Sequence, residues 1–162
     1  MAVRGGPRSH CKMAASVAYK RNGDRISISD VSAVLRPYGQ ARIDDLYREH
    51  RHQLDDLERL LESFAGEHSR YSTDQLFEII TKKIIKRHGL PEIDGKRASN
   101  AMQVAHFLFR AGFIQARDDK DRTGLAFVRY EDRPNLLQTQ ANPDDGLIWE
   151  VHPSYRQVLR IP

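Results

Sequence analysis

The chain has 162 residues and a mass of 18.7 kDa, room for one domain or a small domain with a helical appendage, and too little for a complete P-loop ATPase, kinase or barrel enzyme. With 40% hydrophobic residues, a mean hydropathy of −0.63 and no apolar run near the ~18 residues of a membrane span, the composition excludes both full disorder and a membrane-spanning helix. The net charge of +4 is uneven: residues 1–25 carry six basic side chains against Asp24 alone (+5), the rest 20 against 21 (−1), so the body has no general electrostatic affinity for nucleic acid.

Residues 1–25, with Gly5, Gly6, Pro7, Asn22 and Gly23, read as a flexible basic leader with at most a frayed helix near 12–19. Met13 to Tyr19 is too short, and broken by Ser16, to be a secretory apolar segment. Cys11 is the single cysteine, which excludes an intramolecular disulfide and a cysteine-based zinc site and fits a reducing cytoplasm. Ile26 and Ile28 alternate with Ser27 and Ser29 as a very short strand. Asp30 then has the position of an N-cap for a short helix over Val31–Leu35, ended by Pro37 and Gly39.

Over 41–65 Ile43, Leu46, Tyr47, Leu54, Leu57, Leu60, Leu61 and Phe64 recur mostly at steps of three and four. The other face is charged, so one long amphipathic helix that packs by one side is expected, stopped at Gly66. Ser72 with Gln75 forms a capping-box pattern, and a helix is expected from there to Gly89 and Pro91. A third helix is expected over about 96–111, apolar nearly all round. Lys96, Asn100, Gln103, His106 and Arg110 fall on one narrow polar line along it. Phe113–Arg117 and Leu125–Tyr130 read as the strands of a hairpin whose turn is Asp118–Gly124. A polar loop over 131–146, a strand at Leu147–Val151 and a last helical turn at Tyr155–Leu159, capped by Ser154, complete the chain.

The expected fold class is α+β: mainly helical, with a helical connector over 26–69 and a winged-helix-like domain of three helices and a β-hairpin wing over 70–162. Three stretches carry a family resemblance: 38–64 (YGQARIDDLYREHRHQLDDLERLLESF), 107–117 (FLFRAGFIQAR) and 146–159 (GLIWEVHPSYRQVL). They resemble the helical connector and winged helix that follow the nucleotide-binding domain in P-loop ATPases of the signal-transduction and prokaryotic defence kind. The resemblance implies an accessory segment separated from its motor. No G-x-x-x-x-G-K-[ST] motif occurs, and Gly95-Lys96 runs into Arg97 with no glycine-rich loop before it, so a phosphate cradle is not expected.

Candidate contact residues for nucleic acid or a partner are Lys82, Lys83, Lys86, Arg87, Lys96 and Arg97, opposed by Glu92 and Asp94, with Asn100, Gln103 and Arg110 on the third helix. The first four also suit a helix C-terminus, where cations offset the dipole. In the wing Arg117, Lys120, Arg122, Arg129 and Arg133 are cancelled by Asp118, Asp119, Asp121, Glu131 and Asp132, which favours a wing that touches protein. Asp144, Asp145 and Glu150 loosely echo a metal-dependent nuclease, but His152 stands where its lysine would, and Glu150 reads as exposed. His50 and His52 lie on different helix faces and read as solvent-exposed. No catalytic, cofactor-binding or metal-ligating residue is expected. The expected function is a non-catalytic module that contacts protein, an ATPase core or a second copy, with duplex DNA as the alternative, nuclease action as a distant third, and no membrane partner.

Overall fold

A computed structural model describes residues 7–54, 56–118, 127–137 and 146–162. Its helices are α1 (Pro7–Lys20), α2 (Ile28–His50), α3 (Leu57–Glu62), α4 (Thr73–Ile79), α5 (Lys86–His88), α6 (Ala101–Arg110) and α7 (Pro153–Arg156), with a π-helical stretch, Ile80–Ile85, joining α4 to α5. The strands are β1 (Arg70–Ser72), β2 (Glu92–Ile93), β3 (Lys96–Arg97), β4 (Ile114–Asp118), β5 (Phe127–Val128) and β6 (Leu147–Val151). The fold class is α+β, as expected.

Pro7–Lys20 of the expected flexible leader forms a helix. α1 lies against α2 and buries Ala14 and Ala18, spaced one turn apart so that they share a face. No strand forms at Ile26–Ser29. Ser27 is the N-cap of α2: its hydroxyl accepts from Asp30 N at 3.2 Å, and the Asp30 carboxylate accepts from Ser27 N at 2.7 Å. Asp30 is thus the third residue of the box rather than its cap, and the helix begins three positions earlier than expected from the sequence. Its buried carboxylate also takes the Arg21 guanidinium in a fork, Nε at 3.0 Å and Nη2 at 2.7 Å, which ties the end of α1 to the start of α2.

The Arg21 hydrogen bonds, then those of Ser27, hold the Asp30 carboxyl well below the usual carboxylate range. A carboxyl depressed in the folded state binds fewer protons there than in the unfolded chain. Its contribution is therefore complete above the unfolded value of about 3.9 and is lost as pH falls towards the folded one. Acid titration followed by circular dichroism should show α1–α2 helicity falling below about pH 4, and Asp30→Asn should remove that dependence; an unchanged acid limb in the variant would refute the assignment.

α2 runs on through Pro37 and Gly39, which the sequence reading made a stop. Gly39 is buried against α7: a Cβ there would stand 2.7 Å from the Ser154 carbonyl oxygen. The glycine is there for close approach between two backbones, and not for a turn. The single helix expected over 41–65 is two, α2 and α3, with turns over 51–53 between them. Gln53 anchors this break: its carbonyl accepts from Asp94 N at 2.9 Å, and its side-chain oxygen meets His50 Nδ1 at 2.9 Å. The turn re-aims Leu57, Leu60, Leu61 and Phe64 into the main core, where they pack with Tyr71, Leu76, Ile80, Phe107, Phe113, Trp149 and Tyr155. α3 thus packs in one core with residues that follow position 70.

The Ser72–Gln75 capping box forms as expected, with bonds of 2.9 and 3.2 Å, and Gly89 at φ +81° ends the helical run. Leu76, Ile80 and Ile84 recur every four residues, a repeat that drifts round a regular α-helix. The wider π winding of Ile80–Ile85 keeps Ile84 buried on the core side. The third helix begins at Ala101, five residues later than Lys96. Lys96 and Arg97 are instead β3, paired with β2 across an Asp94-Gly95 turn in which both residues have positive φ, +53° and +74°. Aspartate-glycine is a favoured pair for a two-residue hairpin turn.

The four-stranded sheet is antiparallel throughout, in the order β1-β6-β4-β5. β4 pairs with β5 as expected, Ala116 facing Val128 and Arg117 facing Phe127. β6 lies between β1 and β4, so Trp149 is flanked by Tyr71 and Ala116. The expected turn around 119–124, with Lys120 and Arg122, lies outside the described residues, as do Asp144 and Asp145.

Candidate binding groove

The outward face of α6 lines a groove of about 570 Å³. The hairpin residues Lys96 and Arg97 line one part, Met102, Gln103, His106 and Arg110 the α6 part, and Leu137 also contributes. The rest of α6 is committed to the core, since Val104, Ala105, Phe107, Leu108 and Phe109 are buried.

Two of the expected base contacts are partly used by the helix itself. Asn100 is the N-cap, its Oδ1 accepting from Gln103 N at 3.1 Å, and Gln103 Oε1 accepts from Ser99 N at 2.6 Å. Both are nonetheless exposed. Arg110 is tethered: its Nη2 lies 2.8 Å from Asp94 Oδ2 and 3.4 Å from Gln53 Oε1, with the guanidinium 5.5 Å from the Phe107 ring centroid. It fastens the β2–β3 hairpin to α6. Burial, and then the charge of Arg110, hold His106 below its ordinary pKa, so the groove carries a neutral imidazole at pH 7.

The basic run expected to act together is divided. Lys96 and Arg97 line the groove, whereas Lys82 and Lys83 line a separate hollow with Tyr71 and Gln75. Lys82 pairs with Glu78 at 2.5 Å and Lys83 with Glu67 at 2.6 Å. The Lys82 hydrogen bond lowers the Glu78 pKa, and burial, with Glu67 nearby, raises that of Tyr71. Lys86 and Arg87 are exposed at the helix end.

Glu150 is buried at 2% exposure, against the expectation of an exposed residue, and is enclosed by arginines. Arg156 Nη2 donates to Oε2 at 2.9 Å. Arg70 Nε stands 2.8 Å from Oε1 without hydrogen-bond alignment, and Arg117 Nη1 lies 3.7 Å from the same oxygen. Strand pairing brings these groups together: Arg70 faces Glu150 on β1, and Gln115, beside Arg117, faces it on β4. No short-range pattern marks this cluster.

His50 is half-buried, edge-on to Phe107 at 6.0 Å, while His52 is exposed as expected. His152 caps α7 in place of Ser154, its Nδ1 accepting from Ser154 N at 3.2 Å. Sequence reading missed the role of Gln53 and Asp94; the Asp94-Gly95 pair was the one local signal for the hairpin that presents Asp94.

Comparison with protein-family models, curated proteins and solved structures gives no match. The functional reading therefore rests on the residues themselves. Large hydrophobic side chains left exposed among the described residues are Met13, Tyr19, Ile26, Ile28, Val31, Leu35 and Phe127. Six of these seven belong to the α1–α2 hairpin, and Ile28 and Tyr19 reach 87% and 82% exposure. Ile28, Val31 and Leu35 lie at three- and four-residue steps, forming one stripe on α2. Arg25 and Arg36 are exposed beside it.

Proposed function

We propose that the chain is a non-catalytic interaction module with a winged-helix-like body, binding protein first and nucleic acid second. The order α3, β1, α4, α6, β4, β6, with β1 and β4 on either side of β6, supports the winged-helix-like reading. The apolar stripe Ile28–Val31–Leu35 carries the protein-binding reading, because exposed apolar surface gathered on one hairpin is what an interface leaves on an isolated subunit. A P-loop ATPase core is the partner implied by the family resemblance.

The surroundings of the α6 face weigh against duplex reading. A recognition helix must enter the major groove, and here its polar side lies between the β2–β3 hairpin and the segment that carries Leu137.

The test is to mix the protein with a purified P-loop ATPase core of the signal-transduction kind. Complex formation is expected, weakened at least about tenfold by the double variant Ile28→Asp and Leu35→Asp with the melting temperature unchanged. Duplex binding should stay in the non-specific range, about 10⁻⁴–10⁻⁶ M at physiological salt. Tight, salt-dependent duplex binding abolished by reversing Lys82, Lys83, Lys86 and Arg87 to Glu would favour the DNA-binding alternative. ATP turnover at an enzyme-like rate by this chain alone would overturn the non-catalytic reading.

A further inference from the structure

A second cavity, of about 340 Å³, opens where α2, the end of α6, the start of β4, β5 with its following turn, and His152 meet. Three guanidinium-bearing residues line it, Arg42, Arg110 and Arg129, against one carboxylate, that of Glu131. Arg110 is held by Asp94, as described above. Arg42 is 4.0 Å from Asp45 in an exposed pair and also hydrogen-bonds the Tyr155 hydroxyl, and a guanidinium has more donors than these two contacts use. The backbone N–H of Arg129 goes to Asp132 at 3.3 Å, and its guanidinium makes no ion pair among the described residues.

The half-buried His152 lies among these cations. Because its Nδ1 accepts from Ser154 N, the neutral ring carries its proton on Nε2 and presents a donor there. Burial, followed by the charges of Arg42, Arg156 and Arg129, holds its pKa below the ordinary value, so the neutral donor form prevails at pH 7. Phe127, on the edge strand β5, adds an aromatic face at 41% exposure to the same cavity. Guanidinium forks, a neutral N–H and an exposed ring on one small concave surface match an oxyanion joined to a planar heterocycle.

We propose that this cavity binds a nucleotide phosphate, with the phosphate between Arg42, Arg129 and His152 and the base against Phe127. The ligand is a free mononucleotide or the phosphorylated end of a nucleic-acid strand, which share this chemistry. The site takes Arg42 from α2, two turns beyond Leu35, and its other lining from α6, β4, β5 with its following turn and His152.

The test uses the full chain and fluorescence anisotropy with a fluorescent adenosine monophosphate at low salt. Saturable binding is expected, displaced by unlabelled adenosine monophosphate and not by adenosine. Arg129→Ala and Arg42→Ala should each weaken it by about tenfold or more, since a charge-assisted hydrogen bond is lost. Arg129 is exposed and outside the core, so its variant should keep the parental melting temperature. Phe127→Ala should weaken nucleotide binding by roughly five- to a hundredfold while leaving competition by inorganic phosphate unchanged. Preference for a 5′-phosphorylated oligonucleotide over its 5′-hydroxyl form identifies a strand end as the source, and binding confined to the mononucleotide identifies a free ligand. No saturable binding, affinity unchanged in both Arg129→Ala and Arg42→Ala, or equal affinity for inorganic phosphate and the nucleotide would overturn the proposal.

Discussion

Trp149→Ala is expected to destabilise the protein by about 3–5 kcal/mol and to lower its melting temperature by roughly 10–15 °C. Trp149 is fully buried on β6, the strand paired on both sides, and its ring meets Phe109 of α6 edge-on at 5.3 Å. Its indole N–H donates to Thr73 Oγ1 at 2.9 Å, so one side chain joins the sheet to both α4 and α6. Truncation removes a large transfer term and leaves a cavity whose walls belong to three elements, which restricts collapse. A domain of this size has only about 5–15 kcal/mol in total. Trp149→Phe keeps most of the ring and loses the hydrogen bond, leaving the Thr73 hydroxyl buried, and should cost about 1–3 kcal/mol. Urea denaturation of the two variants checks the order; an alanine variant as stable as the phenylalanine one would mean that the sheet–helix joint is not where the core is anchored.

The second large effect is expected at Glu150. Glu150→Ala removes the one carboxylate that three arginines share and leaves Arg117 and Arg156, at 27% and 22% side-chain exposure, without it. Breaking a buried pair costs about 3–5 kcal/mol, and the partial exposure of these partners, with Arg70 at 58%, reduces the expected loss to about 2–3 kcal/mol. Glu150→Gln retains an acceptor and the shape and should lose less. Both are read from denaturant midpoints. Because guanidinium groups occupy the carboxylate, the expected phenotype is a stability loss. Mg²⁺-dependent DNA cleavage that Glu150→Ala abolishes, in a variant that remains folded, would instead restore the nuclease reading.

Glu150 and Trp149 show the limits of sequence reading. The strand Leu147–Val151 was legible from its apolar residues, whereas the burial of Trp149 is a finding of the structure. The burial of Glu150 was not legible either, because a carboxylate next to a polar loop reads as exposed unless its partners are known. Those partners come from β1 and β4, and chain closure alone brings them together. The nine candidate contact residues follow the same division. Lys96, Arg97, Gln103 and Arg110 meet in the groove because the β2–β3 hairpin folds back on α6. Asn100 caps α6, and the cations at 82–87 belong to other surfaces. Arg110, placed on a polar stripe by periodicity, is a tether because Asp94 reaches it.

The sequence by itself determined what depends on neighbours a few positions away. The Ser72–Gln75 box, the stop at Gly89, the amphipathic faces and the β4 and β6 strands all arise from hydrogen bonds and side-chain spacings within one or two turns. Tertiary structure decided where a locally permitted helix continues or breaks. α2 passes Pro37 and Gly39 because α7 packs closely on the glycine, and the helical run from 41 to 65 breaks where Gln53 meets Asp94 and α3 turns into the core. It also decided the identity of both cavities, since each gathers side chains from elements distant in the chain. The physical reason is the same throughout: helix propensity and capping are worth about 1 kcal/mol per site, and a buried contact made across the fold is worth as much or more.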